Sequence, residues 1–538
     1  LSNNLSIEGV PSSLVLTNFE DLAEPCLFLG IGTTDGVCYG FRIKGSEAED
    51  LWVKTVGSEE VNLSEVEVFG TKGIVVSSTT MLFVYSYLSR MEFTPISYQP
   101  IRAVASFVTD FAGDSLAGIT DESMVVISFE SLEDKFTTMD QPLLFTPRKV
   151  IKTMEFPTTV ICGDNRCKVY TPLLNGENND FEERKIGVNL EEDGVWGSEV
   201  GIIEHTGYNS SIKTEGAIVC GAHVFFKTTK RCFVCSLVHD YKENTGECWI
   251  VVYNAINFNQ IHKTPVESVC RALCAFEGKL LAGIGTTLRM YDLGKQILIR
   301  RCEVGGIPSD INGINVSNNK IVLSTVASGF VYVDYDVEAN ILKVVDQDKV
   351  WHSLTSSTIL DEQTTIGFDK YGSLFITEID WELGNDEVGF LDRVKEVVQW
   401  YVGDVVTSVS VNEIWKGNLP EDEPTTAEEV LRQNKKVIVY SCLMGRIGVL
   451  VPLNFKNEAE FFVNLETSIK KNFNPLLSNS FDMYRGSCYP SFGVIDGDLC
   501  DFYNQMDGNL QQQIADVIGL TPVDVKVKCD DFKHSKLC

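Results

Sequence analysis

One arrangement recurs along the chain: an apolar run that ends in small residues, a polar turn of three to six residues, and a second, alternating run. It reads LFLGIGTTDGVCYGFRI from Leu27, IVVSSTTMLFVYSYL from Ile74, SLAGITDESMVVISFE from Ser115 and TVICGDNRCKVYTPL from Thr159. It returns as LLAGIGTTLRMYDL from Leu280, KIVLSTVASGFVYVDY from Lys320, TIGFDKYGSLFITEI from Thr365 and KVIVYSCLMGRIGVLVP from Lys436. Within the first four, and from Leu280 to Thr365, successive starts lie 40 to 47 residues apart. Alternation with a period of two specifies strands and excludes a helical solenoid. Strand pairs repeating at this interval point to an all-β fold, a β-propeller of four-stranded blades, in which each blade needs its neighbours to bury both faces.

Two longer intervals interrupt the repeat. An acidic, Asn/Gly-rich stretch (LLNGENNDFEERK, then NLEEDG) reads as a solvated loop within an insertion near residues 171–216. A second insertion, near 380–434, carries apolar residues at helical spacing from Phe390 to Trp400 and a capping-box pair, Thr426 with Glu429. After Pro452 the period changes and three helices are expected: Asn457 to Phe473, Leu499 to Ile518, and one beginning at Pro522. The last has Thr521 as N-cap, Pro522 in the first turn and Asp524 near the exposed amides.

Charge narrows the function classes. Lys and Arg number 45 against 75 Asp and Glu, a formal charge of −30, which repels phosphate backbones and disfavours non-specific nucleic-acid binding by this chain. Basic residues such as Lys54, Arg90 and Arg148 are too sparse among the aromatics for a nucleic-acid channel. No run of 18 apolar residues is present, so no membrane-spanning helix is expected, and Leu1 to Pro11 lacks the features of a secretory leader. The first residue is Leu rather than Met, which implies a natural start further upstream. Most of the sixteen cysteines sit singly in apolar runs, as reduced thiols of an intracellular protein do. Four N-x-S sequons, at Asn4, Asn62, Asn209 and Asn315, are read as chance occurrences at this length.

Reactive constellations are few. His223, Cys232, Cys235 and His239 form the most metal-like group, but RCFVCSLV alternates as a strand and directs residues three apart to opposite faces. Cys162 and Cys167 bracket the turn GDNR and read as two separate thiols. None of the six histidines lies beside a nucleophile elbow, and no Walker-type loop occurs. Gly283 and Gly285 precede a strand rather than a helix, so they read as turn glycines. The chain is therefore expected not to be an enzyme, and to hold no metal or cofactor.

The run HKTPVESVCRALCAFEGKLLAGIGTTLRMYDLGKQILIRRCE, from His262 to Glu303, resembles the large propeller subunit of splicing factor 3b. Further similar segments are YSYLSRMEFTPISY from Tyr85, LLFTPRKVI from Leu143, FDKYGSLFI from Phe368, YVGDVVTSV from Tyr401, GRIGVLVP from Gly445 and VIDGDLCDFYNQM from Val494. That family is shared with the damaged-DNA-binding ubiquitin-ligase adaptor and the large cleavage-and-polyadenylation subunit. The resemblance implies three propellers and a helical C-terminal domain. Residues 1–145 then correspond to the last blades of the second propeller, 146–453 to a seven-bladed third propeller at 44 residues per blade, and 454–538 to the helical domain. The first propeller, which completes the partner-binding cup, is absent.

The function implied is a non-catalytic scaffold of splicing factor 3b within the U2 small nuclear ribonucleoprotein, located in the nucleus and supporting branch-site recognition. Its implied partners are the HEAT-repeat subunit and a small ten-kilodalton subunit, with little direct nucleic-acid contact. The alternatives are a propeller adaptor of a cullin ubiquitin ligase and a subunit of the mRNA 3′-end cleavage machinery. Trp381, Trp400 and Trp415, in the second insertion, are candidate partner anchors; their competing role is to seal the insertion against the propeller. Asp496, Gly497 and Asp498, in the IDGDL motif, are read as turn and N-cap geometry.

Overall fold

The computed structural model describes residues 7 to 537 except for short turns and the segments 20–25, 133–146, 153–158, 170–183, 187–197, 204–210, 239–246, 384–391, 414–435 and 473–490. The chain forms two compact units, one built on Leu1–Leu144 and the other running through Ser210–Cys538.

The first unit holds three antiparallel sheets. They are β1 (Pro11–Phe19), β2 (Cys26–Thr33), β3 (Val37–Lys44) and β4 (Glu47–Thr55); β5 (Asn62–Val68), β6 (Thr71–Ser77), β7 (Met81–Tyr87) and β8 (Arg90–Ile96); and β9 (Ala103–Thr109), β10 (Gly113–Ile119) and β11 (Met124–Ser128). Each is a simple meander in sequence order, the blade topology.

The second unit begins with β12 (Pro147–Lys152) and β13 (Thr159–Gly163) and goes on to β16 (Ser198–Ile203) and β17 (Ser211–Thr214); between them β14 (Cys167–Val169) and β15 (Arg184–Ile186) lie mainly in Lys168–Lys185, which belongs to the first unit. Here the repeat read from Thr159 is corrected: β13 pairs with β12 and β16, while β14 and β15 form their own ribbon. Meanders then follow without interruption. They comprise β18 (Ala217–Phe226), β19 (Lys230–Val238), β20 (Cys248–Asn254) and β21 (Gln260–Val266); β22 (Cys270–Phe276), β23 (Lys279–Ile284), β24 (Thr287–Leu293) and β25 (Leu298–Val304); and β26 (Ile311–Ser317), β27 (Lys320–Thr325), β28 (Phe330–Asp336) and β29 (Ile341–Gln347). The last two are β30 (Leu354–Ile359), β31 (Thr364–Asp369), β32 (Ser373–Ile379) and β33 (Val394–Tyr401), and β34 (Val406–Glu413), β35 (Lys436–Cys442) and β36 (Ile447–Leu450).

Two features of register recur. In the first strand of several blades the second residue is bulged, and its side chain reaches the start of the next blade. Ser12 Oγ donates to Val61 O at 3.1 Å, Asn312 Nδ2 donates to Leu354 O, and Thr355 Oγ1 donates to Val406 O at 2.7 Å. These bonds tie successive inner strands together where no backbone ladder joins them. The outermost strands carry a second bulge, as at Val397, which the pairing of Ile376 with Val398 and Thr377 with Glu396 leaves unmatched. That bulge corrects the helix expected over Phe390–Trp400. Val394–Tyr401 is strand β33, and the extra residue shifts the alternation so that apolar positions mimic helical spacing.

The cores lie between sheets. Leu281, Leu288 and Met290 of one blade pack on Ile321, Leu323 and Val331 of the next, all fully buried. Beyond β36 come α1 (Lys456–Asn472), α2 (Gly497–Asp501), a 3-10 turn at Phe502–Gln505, α3 (Gly508–Ile518) and α4 (Pro522–Leu537). The single helix expected from Leu499 to Ile518 is thus broken. Asp507 leaves the helical conformation and caps α3 by accepting the Asn509 N–H. Thr521 and Asp524 bond reciprocally at the start of α4.

Candidate protein-docking face

In the blades β26–β29 and β30–β33 the turn between the second and third strands is built from the small and polar residues that end the apolar run. In the β27–β28 turn, Thr325 Oγ1 donates to Gly329 O at 2.8 Å and accepts the Ser328 N–H at 3.0 Å. In the β31–β32 turn, Asp369 Oδ1 accepts the N–H groups of Tyr371 (2.9 Å) and Ser373 (2.8 Å). Gly329 and Gly372 close these turns at φ of +77° and +85°, where a side chain would be strained and would also meet Asp348 or the backbone of Asp404. Burial raises the Asp369 carboxyl above its usual range, opposed by those N–H donors.

Each turn is also bonded to the connection beside it. Val326 N–H donates to Asp310 O, Gly329 N–H to His352 O, Lys370 N–H to Ser353 O, Val402 N–H to Gly372 O and Leu443 N–H to Val405 O, all at 2.8–3.0 Å. Three consecutive blades therefore present one continuous, hydrogen-bonded face. On it stand side chains that a soluble surface does not need: Trp351 is 80% exposed, Tyr371 61% and Met444 85%, with Leu443, Val326 and Val350 exposed beside them.

Trp351 is held rather than loose. Its neighbour His352 is buried, with its ring centroid 3.6 Å from that of Phe375 and Nε2 3.6 Å from Glu396. Two residues before Val350, Asp348 accepts the Val350 N–H, and its own N–H bonds to Phe330 O. Burial raises the Asp348 carboxyl, with His352 acting in the opposite sense. The indole is thus displayed on a loop fixed at both sides, which lowers the entropy lost when a partner covers it. Charged groups stand beside these residues: Lys349 pairs with Asp392, Arg446 with Asp498, and Lys370 Nζ sits 5.0 Å above the Tyr371 ring. Beyond Asp310 the face continues into an open cavity of about 380 Å³ lined by Glu267, Ser268, Thr286, Arg289 and Asp310. There Arg289 binds Glu267 at 2.7 Å and Glu303 at 2.8 Å.

The tryptophans singled out in the sequence are elsewhere. Trp381 lies at the opposite end of its blade, where Nε1 donates to Glu362 O at 2.7 Å and the ring meets Tyr332 edge-on at 5.8 Å. Trp400 is inside strand β33 rather than on an insertion, 8% exposed and packed with Phe368, Val402, Val406 and Tyr440. Trp415 lies outside the described residues, as do Thr426 and Glu429. Asp496 is the N-cap of α2, accepting the Leu499 N–H at 3.3 Å, while its own N–H donates to Glu466 Oε1. Gly497 begins that helix, and Asp498 meets Arg446 Nη2 at 3.1 Å. Sequence reasoning missed Trp351. The available signal was its setting, DQDKVWHS, a polar connection between strands in which a tryptophan has no apolar run to join.

Of the metal-like group, Cys232 and Cys235 are buried on opposite faces of β19 and pack into different cores, so one ion cannot take both. His223 is held near Phe233, burial lowers its pKa to about 4, and His239 lies outside the described residues.

Antiparallel blades stacked in this way define a β-propeller protein. Comparison with known proteins agrees. The family model described as the CPSF A subunit region matches residues 210–505, and that for the RSE1/DDB1/CPSF1 second beta-propeller matches residues 1–129. The chain belongs to the CPSF A subunit region family. Among relatives, it is 24% identical to splicing factor 3B subunit 3 of Danio rerio over 94% of this chain and 45% of that protein. It is 25% identical to spliceosome-associated protein 130 A of Arabidopsis thaliana over 94% of this chain and 46% of the other. With the pre-mRNA-splicing factor rse1 of Emericella nidulans it shares 26% identity over 98% of this chain and 46% of the relative. The chain thus spans a little under half the length of these relatives.

Proposed function

We propose that the chain is a non-catalytic scaffold of a splicing factor 3b assembly, acting in the nucleus within the U2 small nuclear ribonucleoprotein to support branch-site recognition. The observation that carries this reading is the anchored apolar face of Trp351, Tyr371, Leu443 and Met444, in a family whose relatives are named splicing factors. Such a face supplies exposed aromatic and apolar anchors with charged groups beside them, the residue types of a protein-binding hot spot. The net charge of −30 supports a protein partner, with RNA left to other subunits. The HEAT-repeat subunit and the small ten-kilodalton subunit of splicing factor 3b are the partners proposed. Trp381, whose indole edge is half-buried, is retained as a secondary contact at the far end of its blade.

Affinity purification of the tagged chain from nuclear extract, followed by identification of companions, tests this. Recovery of the HEAT-repeat subunit is expected. Recovery of a cullin without splicing components would replace the proposal with the ligase-adaptor reading.

A further inference from the structure

The cavity at the end of the apolar face is walled so that several acceptors stay unpaired. Its floor is the β23–β24 turn, held by backbone bonds: Gly285 N–H donates to Val269 O, Ile311 N–H to Gly285 O and Ile307 N–H to Thr286 O, at 2.9–3.3 Å. Gly285 turns there at φ +55°, and a Cβ added to it would lie 2.9 Å from Ser268 Oγ and 3.9 Å from Asp310 Oδ1. Both oxygens therefore face the space that the absent side chain leaves. Among the described residues the hydroxyls of Ser268, Thr286 and Thr287 make no hydrogen bond, and the Asp310 carboxylate meets only Arg271, whose Nε is 3.6 Å from Oδ2, too far for a hydrogen bond. One carboxylate oxygen and three hydroxyls thus share one opening of about 380 Å³.

Charge decides what kind of group suits it. Arg289, the cation in the wall, uses Nε on Glu303 (2.8 Å) and Nη1 and Nη2 on Glu267 (2.7 and 3.3 Å), which leaves it closed to an anion. Arg271 and Arg300 stand outside the wall, and Arg300 is bonded to Glu303 at 3.1 Å. Within the wall two carboxylates, Glu267 and Asp310, face one guanidinium, on a chain of net charge −30, so the complement is a cation. Glu267 is already taken by Arg289 and Asp310 Oδ2 is turned to Arg271, so the planar fork of a guanidinium finds no carboxylate to grip with both arms. The three donors of an ammonium suit a single carboxylate oxygen set among hydroxyls.

We infer that this cavity receives a lysine side chain of the partner that covers the Trp351 face, the ammonium donating to Asp310 Oδ1. The inference rests on the reading of that face as a protein-docking surface. The two are continuous: the N–H of Val326, an exposed apolar residue of the face, donates to the carbonyl of Asp310 itself at 2.9 Å. A segment lying from Trp351 across Val326 therefore brings a lysine to the cavity beside its apolar residues.

The first test needs no partner: N-acetyl-lysine methylamide is titrated into the purified full chain and followed by saturation-transfer NMR. A Kd of roughly 1–10 mM is expected for one side chain, weakened at least about fivefold by Asp310→Asn, which keeps the shape and the backbone carbonyl, and weakened also by high salt. Arg271→Gln removes the competing cation and is expected to tighten binding about threefold, a direction that damage to the fold does not produce. The Nε-acetylated analogue, which has lost the charge, is expected not to bind. In the second test the HEAT-repeat subunit is titrated by calorimetry. Asp310→Asn is expected to weaken it about 10-fold or more and to flatten its salt dependence, whereas Trp351→Ala weakens it without flattening. If the lysine analogue binds through Asp310 and the subunit does not bind at all, the choice of partner fails and the cavity assignment stands. Failure of the lysine analogue to bind, equal binding of its acetylated form or of a glutamate analogue, or a subunit that binds indifferently to Asp310→Asn would each overturn the inference.

Discussion

Replacing Trp351 by alanine separates docking from folding more cleanly than any other single change on the face. A tryptophan offers up to about 250 Å², and at 80% exposure about 200 Å² of Trp351 is in water in the free chain. Truncation therefore removes little buried area, and stability is expected to stay within about 0.5 kcal/mol. If a partner covers the ring, the same 200 Å² at about 25 cal/mol/Å² represents about 5 kcal/mol of gross burial. Ordering and imperfect packing consume part of that, leaving a loss of about 2–4 kcal/mol, or roughly 30- to 1,000-fold in Kd. The loop should not collapse, since its fixed points are backbone bonds of Asp348 and His352 and not contacts of the indole. Titration of the HEAT-repeat subunit by calorimetry, with thermal unfolding as the control, measures both quantities. A variant that binds as wild type refutes the assignment of Trp351; one that loses several degrees of Tm refutes the argument that the loop holds itself.

Other expectations concern stability. Thr355→Val deletes a hydroxyl that bridges two inner strands and leaves Val406 O unmatched, at a cost of about 1 kcal/mol in chemical denaturation. Phe69 sits at φ +52° in the two-residue turn between β5 and β6 with its ring half exposed, so Phe69→Asn relieves left-handed strain and should stabilise the first unit by up to about 1 kcal/mol, read as a rise in its denaturation midpoint. His223 binds its proton less readily folded (about 4) than unfolded (6.5), so its contribution is complete above pH 6.5 and falls as pH drops toward 4. The stability of the His223→Phe variant should therefore vary less with pH over that interval than the wild type, as denaturant midpoints at several pH values would show.

What could be read from the sequence follows from how locally each element is determined. Most of the strand pairs around a polar turn were legible because their period and their turn residues lie within twenty residues, as at Lys320 and Thr365; the pair read from Thr159 was not, because β13 takes its partners from outside that window. The blade β18–β21 escaped the pattern because its second and third strands are separated by 239–247, too long a connection to read as a turn. Strand β33 was misread because a bulge imitates helical spacing, and register is a property of two strands. The candidate face was illegible for a related reason: Val326, Trp351, Tyr371 and Met444 belong to different turns and connections, and only the stacking of successive blades brings these to one side.

The two motifs GRIGVLVP and IDGDL, far apart in the chain, meet in the fold, and magnitudes decide what joins them. Arg446 and Asp498 are both substantially exposed at 3.1 Å, a pair worth at most about 1 kcal/mol. Beside them Phe492 and Gln399 exchange both backbone hydrogen bonds (2.8 and 3.0 Å), covering part of the outer edge of β33. The chain then turns at Gly493, φ +79°, where an added Cβ would lie 2.8 Å from Val397 O. Backbone strain and a clash with that carbonyl together cost about 2 kcal/mol or more. Gly493→Ala is therefore expected to loosen the helical domain more than Arg446→Ala, seen as faster hydrogen exchange across α2 and α3. The opposite order would mean that the ion pair, and not the strand pairing, holds the helices to the last blades.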